Sequence, residues 1–379
     1  MTRAQLHRVK NVVVKVGTGT LTEASGKFDQ ANCDRLGGEL AEIARGRRVV
    51  LVTSAAIALG AEKLGLVRAK ARPWDIATKQ AAAAAGQPDL VYAWGRALAP
   101  HGVKVAQVLL TADDLASRKR FLNARRTFAR LLELGVMPVV NENDTVAVDE
   151  IKVGDNDSLA ALVAACVEAE LVAILTDVEG MYDRDPSLPG AALLSEVPRV
   201  TAEVERMAGG AGSERSVGGM ATKVRAAKRL AAHGAGTALV HGRRPRALQD
   251  LLAGERVGTY FPPHEKRIDA RRGWLAAAAR GKGTIVVDPG ARKALVEQGR
   301  SLLPSGVRSV AGHFGVGDPV DIAVDARRPF ARGLAGYGAD EVRRIAGLKT
   351  SEIERALGYK YLDEIVHRND MVLLDAGPE

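Results

Sequence analysis

Six short apolar, β-branched runs punctuate the first two-thirds of this chain. They are NVVVKV (11–16), VVLVT (49–53), VKVAQVLL (103–110), MPVVNE (137–142), LVAILTD (171–177) and TALVHG (237–242). Continuous apolar runs bounded by Gly and polar residues are what strands covered on both faces require. Between them lie the helical stretches DQANCDRLGGELAEIARG, TKQAAAAAGQPDLVYAWGRALAPHG, NARRTFARLLELG, DSLAALVAACVEAE and ATKVRAAKRLAAHG, several ending in Gly, a common helix stop. This alternation predicts an α/β fold with a mostly parallel sheet and helices on both faces. The AAAAAG run at 81–86 reads as a closely packed helix.

The pattern changes near residue 262. The segment FPPHEKRIDARRGWLAAAARGKG has two Pro residues and many charges, followed by helical residues, and reads as a connection. Beyond it come short strand signals, GTIVVD, SLLP, GVRSVAG, DPVDIAV, FARGLAGY and a final MVLL, with a helical ADEVRRIAG among them. The expected organisation is a catalytic domain over 1–262, a linker over 263–280 and a small β-rich domain over 281–379.

Composition narrows the function classes. The chain has 379 residues, and aromatics make up 4%, so the core must be built mainly from Ala, Val and Leu. Its two cysteines, Cys33 and Cys166, are far apart and lack His neighbours at ligand spacing, which argues against a disulfide framework or a zinc site. No run reaches the length of a membrane span, and the start lacks a signal-peptide pattern; a cytoplasmic protein is expected. The net charge of +9 suits either nucleic acid or an anionic small substrate.

Against that basic balance, residues 141–157 read NENDTVAVDEIKVGDND, with six Asp or Glu and three Asn in seventeen positions. The stretch follows directly from an apolar strand and lacks the regular spacing of a Ca²⁺ loop. Clustered carboxylates and amides at a sheet edge suit two tasks: gripping an ammonium group, and holding Mg²⁺ or orienting lysines around a phosphate.

Other strand ends carry candidate anion contacts. The first strand runs into KVGTGT, where Gly17 and Gly19 let backbone approach an anion and Lys15 supplies a cation; alone, the pair is equally consistent with a tight turn. The G-x-x-x-x-G-K-[ST] spacing of a Walker A loop occurs nowhere. Ser54, after the second strand, either helps hold an anion or caps a helix. In SVGGMATK (216–223), Lys223 falls in the first turn of a helical pattern; a cation there opposes the macrodipole and needs an anionic partner, for which a phosphate is the obvious candidate. Thr176 and Asp177 close the fifth strand with polar groups that suit a nucleotide or a simple turn.

Taken together, VVVKVGTGTLT, VTSAAIALG, PVVNENDTVAVDEIKVGDND, LTDVEGMYDRDP and GGMATK resemble the amino-acid kinase family, and more closely its glutamate 5-kinase branch, in the family's order. The tail, with SLLPSGVRSVAGHFGVGDPV, RRIAG, EIERALGY and VHRNDMVLL, is similar to a PUA domain. The resemblance covers essentially the whole chain. It implies a three-layer αβα amino-acid kinase fold followed by a small β-rich PUA domain. Two positions depart from the pattern: Ala55 stands where the family usually has Gly, and Val217 where it usually has Thr.

The resemblance implies transfer of the γ-phosphoryl group of ATP to the side-chain carboxylate of L-glutamate, with Mg²⁺ bridging the phosphates, as the first step of proline biosynthesis. Lys15 and Lys223 would flank the transferring group and Asp157 would orient both. Ser54, Asn141, Asp144, Asp155 and Asn156 would hold glutamate. Lys15, Gly17, Thr176, Asp177 and the loop Val217, Gly218, Gly219, Met220, Ala221, Thr222 and Lys223 would meet the nucleotide. No side chain is expected to bind metal directly. A homo-oligomer and inhibition by proline are also implied. The alternatives are N-acetylglutamate kinase or aspartokinase, and an RNA-binding protein acting through the tail. RNA binding is not expected, because the tail lacks interleaved aromatics for base stacking.

Overall fold

The computed structural model describes residues 1–66, 74–147, 156–209, 219–264, 281–325 and 328–374. The chain divides into two compact units, Met1–Arg267 and Ile268–Glu379. The connection expected at 263–280 lies, from residue 265 on, outside the described residues.

The first unit is built on a seven-stranded sheet of β1 (Asn11–Val16), β2 (Arg48–Thr53), β3 (Lys104–Leu110), β4 (Val136–Glu142), β5 (Leu171–Thr176), β6 (Gly236–His241) and β7 (Thr259–Phe261). The strand order is β3-β4-β2-β1-β5-β6-β7. Every neighbouring pair is parallel except β6 and β7. The six expected strands are therefore present, and β7 is an addition. At three residues it is too short to show a period, and it exists because its backbone pairs with β6.

The helices of this unit are α1 (Thr18–Leu21), α2 (Gln30–Ala44), α3 (Ala56–Lys63), α4 (Ile76–Leu98), α5 (Ala112–Ala116), α6 (Arg118–Glu133), α7 (Asn156–Cys166), α8 (Ala202–Ala208), α9 (Met220–Ala232) and α10 (Ala247–Ala253). Alternation along β1 separates the layers. Val12, Val14 and Val16 pack in one core with Leu36 and Leu40 of α2 and with Leu90 and Trp94 of α4. Val13 packs in the other, with Leu159 and Val163 of α7 and Val224 of α9. Successive strand side chains point to opposite faces, so Lys15 shares Val13's face, toward α7 and α9.

Two glycines set the packing of α3 on α4. A Cβ at Gly86 would lie 2.0 Å from the Ala56 carbonyl oxygen, and one at Gly60 would lie 1.7 Å from that of Ala82. Only bare backbone permits so close a crossing. The alanine run before Gly86 is thus the closely packed helix its composition suggests. Helix α4 continues through Pro88.

The second unit is a five-stranded sheet in the order β12-β11-β10-β8-β9. Its strands are β8 (Gly283–Val287), β9 (Val307–Gly312), β10 (Pro319–Ala323), β11 (Pro329–Leu334) and β12 (Met371–Leu373). Its own core contains Ile285, Val320, Ile322, Tyr337 and Val342. One expected strand is absent: SLLP makes a single bridge, Leu302 to Val366, and then enters a 3₁₀ turn at Pro304–Gly306. Proline cannot donate to a ladder, which ends pairing there.

Candidate active site

In the first unit the chain moves from β1 to its β2 side for three strands, then returns to add β5 on the other side. The carboxyl ends of β1 and β5 thus flank a reversal of strand order, where open α/β sheets leave a crevice for ligands. Lys15 lies near the end of β1, Thr53 at the end of β2 with Ser54 directly after it, Asn141 next to the last residue of β4, and Thr176 at the end of β5.

Three charged side chains meet there. Lys15 Nζ is 2.6 Å from Asp157 Oδ1, and Lys223 Nζ is 3.1 Å from Asp157 Oδ2. The Thr222 hydroxyl is also 3.2 Å from Oδ2. Asp157 is wholly buried, and both lysines are nearly so. Burial alone would raise the Asp157 pKa, but the charges of Lys15 and Lys223 and their hydrogen bonds outweigh it and hold the carboxyl below its ordinary range. Asp157 also occupies the first turn of α7, where the helix dipole favours an anion.

Lys223 occupies the first turn of α9, as its sequence context suggests. The Asp157 carboxylate is an anion that offsets the unfavourable dipole here. Two ammonium groups thus meet on one carboxylate.

A second, neutral cluster lies beside the first. Asn156 precedes Asp157, and its Nδ2 is 3.0 Å from the Thr53 carbonyl, 2.8 Å from Ser54 Oγ and 3.2 Å from Asn141 Oδ1. Asn141 Nδ2 in turn donates to Gln87 Oε1 at 2.7 Å. Ser54, Asn141 and Asn156, separated by up to 102 positions, are thus brought together. Asp144 is half-buried nearby in sequence, and desolvation pushes its carboxyl up to about 6. Asp155 lies outside the described residues.

Of the residues expected at the nucleotide, Gly17 abuts the lysines: a Cβ there would stand 3.5 Å from Lys15 Nζ. Thr176 Oγ1 donates to Asp177 Oδ1 at 3.0 Å, and a Cβ on Gly19 would come 3.1 Å from Asp177 Oδ2. The ends of β1 and β5 therefore lie side by side. Gly219 caps α9, and Met220, Ala221, Thr222 and Lys223 form its first turn. Val217 and Gly218 lie outside the described residues.

Two features were missed from sequence. Thr222 belongs to the loop expected at the nucleotide, and its hydroxyl also lies 2.7 Å from the Gly219 carbonyl and 3.2 Å from Asp157 Oδ2, a link to Asp157 that the sequence does not announce. Gln87 was passed over inside a helical run; the available signal was a long amide directly after the small residues of a tightly packed helix. Ala55, buried after Ser54, adopts a left-handed φ of 84°, a conformation that favours glycine.

Residues 10–241 match the Amino acid kinase family, and residues 283–357 match the PUA domain. The chain is 74% identical to the glutamate 5-kinase of Anaeromyxobacter dehalogenans over 379 residues, covering the full length of both. It is 52% identical to the glutamate 5-kinase of Myxococcus xanthus, covering 98% of each chain. It is 49% identical to that of Pelobacter propionicus, covering 99% of this chain and 100% of the relative. The chain belongs to the amino acid kinase family and, within it, to the glutamate 5-kinases that carry a C-terminal PUA domain.

Proposed function

We propose that this chain transfers the γ-phosphoryl group of ATP to the side-chain carboxylate of L-glutamate, yielding γ-glutamyl phosphate for proline biosynthesis. The observation that carries this reading is the buried convergence of Lys15 and Lys223 on Asp157, in a chain whose full-length relatives are glutamate 5-kinases.

Two anions must approach each other in this reaction, so the barrier is largely electrostatic, and catalysis is positioning plus charge neutralisation. Asp157 holds both ammonium groups in position before substrate arrives. Lys15 and Lys223 then meet the oxygens of the transferring group, where negative charge spreads during transfer. Asn156, Asn141, Ser54, Asp144 and Asp155 bind the amino acid, with the acidic residues meeting its ammonium. Gly17, Thr176, Asp177 and the loop 217–223 meet the nucleotide.

Among the described residues, no three His, Cys, Asp or Glu side chains form a cation cage. Asp157, the fully buried carboxylate between the strand ends, is held by lysines. That donor set fits Mg²⁺ held mainly by phosphate oxygens and water. The ion would enter with ATP, kept by the residues that keep the nucleotide, and would neutralise phosphate charge.

The test is glutamate-dependent ATP turnover, with the acyl phosphate trapped by hydroxylamine. N-acetylglutamate and aspartate in the same assay separate this reading from its neighbours in the family. Self-association and inhibition by proline belong to the same proposal and are checked by sedimentation and by proline titration. Among the described residues no helix is long and apolar enough to cross a membrane; a cytoplasmic setting is part of the same proposal.

A further inference from the structure

The amide cluster beside the lysines has a direction. Asn156 Nδ2 has two hydrogens and three acceptors within reach, Thr53 O, Ser54 Oγ and Asn141 Oδ1, so its nitrogen is fully committed. Asn141 uses its oxygen toward Asn156 and its nitrogen toward Gln87 Oε1. Turning any one amide over would set donor against donor or acceptor against acceptor. The chain Asn156 to Asn141 to Gln87 therefore has one consistent polarity, fixed by the backbone carbonyl of Thr53, and it ends on a Gln87 whose Nε2 is buried without a partner among the described residues.

That polarity leaves an oxygen over. Asn156 Oδ1 is buried and has no hydrogen-bond partner among the described residues. A buried amide oxygen without a donor costs on the order of 1–3 kcal/mol, so such an atom calls for a ligand. On the glutamate kinase reading, the donor that satisfies it is the substrate's α-ammonium.

We infer that Gln87 is a positioning residue of the amino-acid subsite. By accepting from Asn141 it fixes the Asn141 amide, which holds Asn156 with its free oxygen presented to the substrate's α-ammonium. Gln87 can do this because it directly follows Gly86, whose backbone is pressed against the first turn of α3, next to Ser54. Its reach to Asn141 is thus set by the rigid crossing of α3 and α4 rather than by a loop. The inference rests on the glutamate kinase reading and deepens it: it names the residue that orients the ammonium acceptor.

The test compares Gln87→Met, which keeps length but removes the acceptor, with Gln87→Glu, which keeps an acceptor for Asn141. Glutarate, a glutamate analogue without the ammonium, serves as a competitive inhibitor. Gln87→Met should raise the KM for glutamate about tenfold, with kcat, the KM for ATP and the Ki of glutarate within about threefold of the unaltered chain. Gln87→Glu should restore the glutamate KM to within about threefold. Should Gln87→Met fail to fold, Gln87→Ala carries the same comparison. An unchanged glutamate KM overturns the inference. So does a parallel rise of the glutamate KM and the glutarate Ki, because general loss of packing would not single out the ammonium. Absence of any glutamate-dependent turnover in the unaltered chain would overturn the functional reading and this inference together, and is thereby distinguished from failure of the inference alone.

Discussion

Lys15 Nζ lies 2.6 Å from Asp157 Oδ1, joining the central strand of the sheet to the first turn of a helix 142 positions further along. The pair is buried, and Lys223 joins it from a second helix at 3.1 Å. Removing the carboxylate takes from two buried ammonium groups the anion they share, and breaking such a buried pair costs about 3–5 kcal/mol. Asp157→Asn should therefore lower the melting temperature and cut turnover on the order of a hundredfold or more. ATP should raise the variant's melting temperature more than that of the unaltered chain, because its phosphates supply the missing negative charge. The sign with pH follows from the depressed carboxyl. Its stabilisation is complete above the unfolded value near 3.8 and is lost as pH falls through the lower folded value. Asp157→Asn should thus flatten stability against pH in that acid range. A variant that melts and turns over like the unaltered chain would remove Asp157 from its central place.

Lys15→Ala and Lys223→Ala should each lower kcat on the order of a hundredfold while changing the glutamate KM far less. On the proposed mechanism each ammonium meets charge that grows during transfer, and in each variant the other lysine still neutralises Asp157, so folding should survive. Single-turnover kinetics on folded protein measure this. Near-normal turnover in either variant would exclude that lysine from the chemistry.

The sheet was legible because its strands are covered on both faces and read as unbroken apolar runs. Six were found that way. The seventh, Thr259–Phe261, exists through its pairing with β6 and has too few residues for a pattern. SLLP misled because its apolar content suits a strand, whereas Pro304 directs the backbone into a turn. At the site, Lys223 announced itself as a cation at the wrong end of a helix, and the structure supplies a carboxylate as its partner. Gln87 gave no comparable signal. A lone amide in a helical run acquires meaning only when Gly86 and Gly60 bring two helices into backbone contact and its oxygen meets Asn141.

Asp144, as a proposed contact of the substrate's ammonium, should give glutamate binding a pH dependence. Burial raises its carboxyl to about 6 in the free protein, so it is ionised above that pH and neutral below it. Binding an ammonium requires the ionised form, so the glutamate KM should rise as pH falls through about 6. The KM for ATP should show no matching rise. The same shift means that ionised Asp144 is a burden on the free fold above pH 6. Asp144→Asn should therefore melt higher than the unaltered chain at pH 8, and the difference should fade as pH falls toward 4. The check is thermal melting across pH together with the glutamate KM profile. A flat KM between pH 5 and 8 would place Asp144 away from the ammonium.

Ala55 bears a left-handed φ of 84° while buried at the start of α3. A side chain in that region costs roughly 1–2 kcal/mol, and glycine removes the clash at a smaller cost in unfolded-chain entropy. Ala55→Gly should thus stabilise the protein by about 1 kcal/mol, a rise of roughly 2–4 °C in melting temperature for a domain of this size. A lower melting temperature would mean that the methyl packs well enough to outweigh the backbone strain.

The two units divide the labour in the final prediction. Every described residue assigned to chemistry lies at or before Lys223, within Met1–Arg267, and each unit has its own apolar core. A protein ending at Arg280 should therefore keep the seven-stranded sheet and retain glutamate-dependent ATP turnover. The proposed response to proline, Mg²⁺ dependence and self-association should be the properties that change, because an appended domain can bias conformations of the core without touching substrate. Circular dichroism, hydroxylamine trapping and sedimentation on the purified fragment measure these separately. A fragment that is folded but inactive would show that the C-terminal unit completes the active site, and the proposed division would fail. A fragment that aggregates would show instead that the unit covers apolar surface on the first, in which case a solubilising replacement of its apolar residues, rather than its removal, would be needed to separate cover from catalysis.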